Sequence, residues 1–111
     1  MSADVDLYPE LTAALREGCA ALGGHPLAAL LDQGGGRRII LDERALDVVR
    51  DYVRRVEDHL KEKFPGYDDE EEGYSPEDED AYFDTLEAWR NKLVYKVAHV
   101  AGDDFLEGYR A

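Results

Sequence analysis

The sequence predicts an all-α protein, a small single-domain bundle of about four helices whose two long C-terminal members form an antiparallel hairpin. Three observations lead there. Apolar residues recur at spacings of three and four over positions 46–60 and again over 82–100, the period of a helix face. Both stretches open on a capping residue and close on Pro-Gly or Gly, the usual start and stop signals. Only positions 37–41 (RRIIL) look extended, and one strand without a partner makes no sheet. At 111 residues with 44% hydrophobic content, the chain suits one domain over 1–111 with a core of its own.

The first helix starts at Pro9, because a first helical position does not need the N–H that proline lacks. Leu11, Leu15, Cys19 and Leu22 form its apolar side, and Gly23-Gly24 ends it. A short second helix runs from Pro26 to about Asp32 on Leu27, Leu30 and Leu31, and Gly34-Gly35-Gly36 breaks the chain as a flexible connector. Positions 37–41 follow, either extended or part of a loop.

The third helix is the clearest. Asp42 caps it, and Leu41 and Leu46 occupy the two positions of a hydrophobic staple. Leu46, Val49, Val53, Val56 and Leu60 make a continuous stripe until Pro65-Gly66. The fourth helix opens on Ser75-Pro76. Ser75 is the cap, and the Asp78 carboxylate is expected to reach back to the cap amide. Tyr82, Leu86, Trp89, Leu93, Val97 and Val100 form its apolar stripe; acids crowd its start and Arg90, Lys92 and Lys96 its later turns, the order a helix dipole favours. Phe105, Leu106 and Tyr109 are expected to fold back on the core.

Charge is the strongest functional signal. The net charge is −13, yet ten acidic residues and no basic one fall in 68–84; elsewhere 16 acidic residues face 13 basic ones. Such a block repels itself, stays hydrated and steers basic partners. It opposes direct contact with nucleic acid, whose phosphates it would repel. The acidic inter-helix loop at about 65–75 and the helix start after it are therefore the candidate partner-binding surface. The candidate residues are Asp68, Asp69, Glu70, Glu71, Glu72, Tyr74, Glu77, Asp78, Glu79, Asp80 and Asp84. Tyr67, Tyr74, Tyr82 and Phe83 are interleaved with these carboxylates, adding contact area to charge.

Positions 68–79 also resemble a calcium-binding EF-hand loop. Asp68, Glu70 and Glu72 fall at ligand positions 1, 3 and 5, Gly73 at the turn position and Glu79 at position 12. That resemblance implies divalent-cation binding. Ser75-Pro76, however, starts a helix where a ninth-position ligand belongs. A second resemblance rests on Arg54 and His59: RRVEDH is similar to the R-x4-H signature of HEPN-type ribonucleases, which implies metal-independent RNA cleavage by these two residues across a dimer cleft.

The other chemistry-bearing residues have plainer readings. His25 precedes Pro26 in a turn and suits a cap of the second helix. Cys19, the one cysteine, lies in an apolar stripe and allows no internal disulfide. The histidines show no metal-ligand spacing. No apolar run is long enough to span a bilayer, and the N-terminal residues lack a secretion signal's basic start and apolar core. The expectation is a cytoplasmic, non-enzymatic binding protein without cofactor or metal. It would dock on a basic protein, such as a nucleic-acid-binding protein or nuclease, as an inhibitor, immunity protein or DNA mimic does. It would bind neither nucleic acid nor membrane directly, and an apolar strip on the third or fourth helix would allow a homodimer.

Overall fold

The computed structural model describes residues 3–67 and 73–102. The element order is β1 (Ala3–Asp6), α1 (Pro9–Ala21), α2 (Leu27–Gln33), β2 (Arg38–Leu41), α3 (Glu43–Lys63), a 3-10 turn (Pro65–Tyr67), α4 (Pro76–Leu86), a π-helical segment (Glu87–Asn91) and α5 (Lys92–Ala101). The all-α expectation holds, with a small two-stranded sheet added. Among the described residues no helix is long and apolar enough to cross a membrane. The expected return of Phe105, Leu106 and Tyr109 lies outside the described residues.

The sheet corrects the view that 37–41 has no partner. Arg38–Leu41 pairs antiparallel with Ala3–Asp6, Val5 opposite Ile39 and Asp6 opposite Arg38. Val5, Ile39 and Leu41 turn into the core, while Asp4, Asp6, Arg38 and Ile40 face out. The connection needs two tight reversals. After α1, the Gly24 N–H donates to Cys19 O and the Gly23 N–H to Ala20 O; after α2, Gly36 and Gly35 donate to Leu31 O and Asp32 O in the same pattern. These are Schellman closures, which need a left-handed residue, supplied by Gly23 (φ +81°) and Gly35 (φ +69°). The triple glycine is thus an ordered helix stop. At Gly34 a Cβ would lie 1.7 Å from Arg38 O, so only glycine lets the chain pass β2.

Helix α3 begins as expected. Asp42 Oδ1 accepts the Ala45 N–H at 2.7 Å. Its buried side includes Val49, Val53, Val56 and Leu60, and also Tyr52, wholly enclosed. The chain reverses at the 3-10 turn and returns as α4, the π segment and α5 in unbroken succession. Gly66 then meets Asp78, and further along Glu57 meets Arg90, the order of an antiparallel hairpin. Tyr82, Leu86, Trp89, Leu93 and Val97 are buried as expected. Val100 is 38% exposed instead, and Val94 takes an inward place. The five-residue turn of the π segment shifts the phase of the buried face midway along this helix, so a stripe of constant period misplaces its last member. Leu22 and Leu46 are half-buried.

The π segment has a visible partner. The Tyr52 hydroxyl donates to Trp89 O at 2.7 Å, inside the core. Gly18 on α1 makes room for it, since a Cβ there would stand 2.4 Å from the Tyr52 hydroxyl oxygen. Burial pushes the Tyr52 phenol far above its ordinary titration range, so it remains a donor.

Candidate functional site

The start of α4 is built on the turn before it. Ser75 Oγ accepts the Asp78 N–H at 3.3 Å, the cap expected from the sequence. The Asp78 carboxylate does not reach back to the cap amide. Asp78 Oδ2 accepts the Gly66 N–H at 3.3 Å, and the Ser75 N–H donates to Gly66 O at 3.0 Å. Gly66 is buried, and a Cβ there would sit 2.7 Å from Asp78 Oδ2 and 2.8 Å from Gly73 O. The ends of the acidic loop are therefore tied together at one glycine. Sequence spacing could not show this, because the competing donor lies twelve residues away.

Aromatic stacking closes the same corner. Tyr67 lies flat on Tyr82 with ring centroids 3.8 Å apart, and Phe83 stands edge-on to both rings. Tyr82 is buried and its phenol is raised, chiefly by that burial. Phe83 and Tyr74 are about half exposed, at 51% and 53%. The Tyr74 hydroxyl donates to Glu79 Oε2, and this bond to a carboxylate raises the phenol's pKa. Glu79 and Phe83 stand one helical turn apart, so Tyr74 and Phe83 lie along one flank of α4.

The candidate carboxylates thus fall into three groups. Asp68, Asp69, Glu70, Glu71 and Glu72 lie outside the described residues. Asp78 and Glu79 are half-buried and bonded within the fold. Glu77, Asp80 and Asp84 are exposed, and Glu87, which was not among the candidates, is exposed beside them. Their spacing of three, four and three puts all four on one outward face, bordered by Phe83. The same counting rule that finds apolar stripes would have found Glu87 had it been applied to the acids.

Of the calcium frame, Asp68, Glu70 and Glu72 lie outside the described residues. Gly73 precedes the cap, helix α4 already runs from Pro76, and Glu79 holds Tyr74. Among the described residues no group of three His, Cys, Asp or Glu side chains is placed to hold a metal ion. Arg54 is exposed on α3, whereas His59 is half-buried and stacked on Trp89 at 6.3 Å between centroids. Five residues of α-helix turn the chain by about 140° past a full revolution, so the two are directed to different faces.

His25 is enclosed. Its Nδ1 accepts the Leu27 N–H at 3.1 Å, which leaves Nε2 to carry the proton donated to Asp51 Oδ2 at 2.8 Å. It caps α2, as expected, and anchors that helix to α3. This bond, then the Arg55 partner, hold the Asp51 carboxyl below its ordinary pKa. Cys19 is buried and its thiol is raised by that burial, the setting of an inert side chain. No protein-family model, curated protein or solved structure matches the chain.

Proposed function

We propose that this chain is a cytoplasmic, non-enzymatic binding protein that docks on a basic macromolecule, blocking it in the manner of an inhibitor, immunity protein or DNA mimic. One observation carries the reading. Glu77, Asp80, Asp84 and Glu87 form an outward carboxylate row on α4, with Phe83 and Tyr74 exposed on its flank. The row supplies long-range attraction, and the aromatics supply area that excludes water at contact. Arginine is the natural complement, since its guanidinium binds carboxylates in a fork and stacks on aromatic rings. A nuclease or nucleic-acid-binding protein presents such a surface. Direct binding to nucleic acid or to an anionic membrane is opposed by the charge.

The test starts from the basic protein captured by this chain from its source cell, purified and studied by stopped-flow association. Glu77→Gln, Asp80→Asn and Asp84→Asn together should lower the on-rate at low salt about tenfold and flatten its salt dependence. Neutralising positions 68–72 as well should lower it further. Unchanged rate and salt slope in both variants would remove the proposal.

A further inference from the structure

The outer edge of β1 offers a second, different surface. The Leu7 N–H donates to Arg37 O at 2.7 Å, continuing the register of the sheet. Hydrogen-bonded pairs alternate along an antiparallel ladder, so Val5 and Ala3 also bond across to β2 while the N–H and C=O groups of Asp4 and Asp6 turn away from it. Among the described residues no main-chain partner meets those groups. A cavity of about 380 Å³ lies on that side, between residues 4–6 and the α5 residues Tyr95, Lys96, His99 and Val100. Tyr95 is 73% exposed, more than any other large apolar side chain among the described residues, and Val100 is 38% exposed. A strand edge beside a helix-walled groove is the setting in which an extended peptide binds by adding a strand.

We propose that this groove takes an extended segment of a partner protein as a third strand, with basic residues beside Asp4 and Asp6 and apolar residues turned toward Tyr95 and Val100. Asp4 and Asp6 project from the open face of the sheet, where a cross-strand lysine or arginine is favoured and an acid is rejected. Asp4 already faces Arg38 at 3.5 Å, so Asp6 is the stronger selector. The edge is four residues long and carries two charges, which guards it against indiscriminate pairing and admits a strand of matching charge. A second copy is a poor occupant, because pairing β1 with β1 sets aspartate beside aspartate. The proposal does not rest on the acidic face of α4.

The probe is a synthetic peptide of about eight residues, the length of a long natural strand, alternating lysine with valine or leucine. Two further versions are N-methylated, one at odd and one at even positions. Amide shifts of the full chain are followed by NMR. The expected result is saturable shifts at Asp4, Asp6, Tyr95 and Val100. One methylated version should bind about tenfold more weakly and the other like the parent, because only one set of amides faces β1. Asp6→Lys and Tyr95→Ala should each weaken the parent peptide several-fold.

Four outcomes overturn the proposal. Shifts confined to Glu77, Asp80 and Asp84 mean charge attraction only. Equal binding of both methylated versions excludes strand addition. Shifts at β1 that follow protein concentration without peptide assign the edge to a second copy. Binding that appears only after Phe105, Leu106 and Tyr109 are replaced by serine assigns the groove to the chain's own C-terminal segment.

Discussion

Around Tyr52, three elements meet and the polar atoms that meet there are answered inside the fold. Its hydroxyl bonds Trp89 O, its ring packs edge-on to His25, and Gly18 supplies the space. Around the start of α4 the division is different. Asp78 and Glu79 are bonded within the fold, while Glu77, Asp80, Asp84 and Glu87 are exposed and point outward. The first region shows what a purely structural polar cluster looks like here. The second departs from that pattern: inward and outward carboxylates share the first turns of one helix, and the outward ones are those assigned to a partner in the proposed function.

Substitutions at Tyr52 should have the largest effect. Tyr52→Ala empties a fully enclosed site and should destabilise by about 3–5 kcal/mol in urea unfolding. Tyr52→Phe keeps the ring and leaves Trp89 O without its donor, for about 1–3 kcal/mol. Gly18→Ala drives a methyl into the hydroxyl and should cost about as much as overpacking usually does, about 1–3 kcal/mol. A Tyr52→Phe variant as stable as the parent would break the contrast, since the buried hydroxyl would then contribute nothing.

The inward carboxylates come next. Ser75→Ala removes the α4 cap and should cost about 1 kcal/mol. Asp78→Ala removes the acceptor of the Gly66 N–H, with a loss of similar size, about 1 kcal/mol. Both effects should appear in unfolding midpoints and also as faster hydrogen exchange at Gly66 and Asp78.

Asp51 gives a smaller effect that depends on pH. Its carboxyl is held below the ordinary value of 3.8 by the His25 hydrogen bond and then by Arg55. A depressed acid stabilises the fold above its unfolded pKa, and that contribution is lost as pH falls through the folded pKa. The stability difference between the parent and Asp51→Asn should be present at neutral pH and shrink below about pH 4. Half the Asp51 side chain is exposed, so the full difference should stay under about 1 kcal/mol.

Much of this fold was legible in local signals. Pro9, Asp42 and Ser75 act where propensity places them, because capping depends on residues within one turn. Leu60 and Leu93 are buried because a helical period needs only the chain itself. What escaped depends on distant partners. The β1–β2 pair joins segments over thirty residues apart, and neither strand shows a pattern strong enough to announce the other. Tyr52 was missed because tyrosine suits surface and core alike, and its enclosure depends on Gly18 and Trp89. The acidic window was legible as a charge block, but its division was not. Whether a given carboxylate is spent on the fold depends on which donors the turn at Gly66 brings near.

The outward row should give the smallest stability effect, and its near-absence sharpens the comparison most. Two influences oppose each other in the triple variant Glu77→Gln, Asp80→Asn and Asp84→Asn. Carboxylates in a first helical turn are favoured by the dipole, by about 0.3–1 kcal/mol each where exposed. Like charges three and four residues apart repel by about 0.2–0.5 kcal/mol per pair. Glu77 has most to lose from the first influence, whereas Asp80 and Asp84, repelled by each other and by Glu77 and Glu87, gain most from relief of the second. The net change should lie within about 0.5 kcal/mol, as for surface positions without internal partners. Added salt screens the repulsion, so any gain in the triple variant should fade as salt rises. A loss above 1 kcal/mol would mean that these carboxylates, like Asp78, are committed to the fold. A stable variant whose partner association is slowed would separate the two roles within one helix turn.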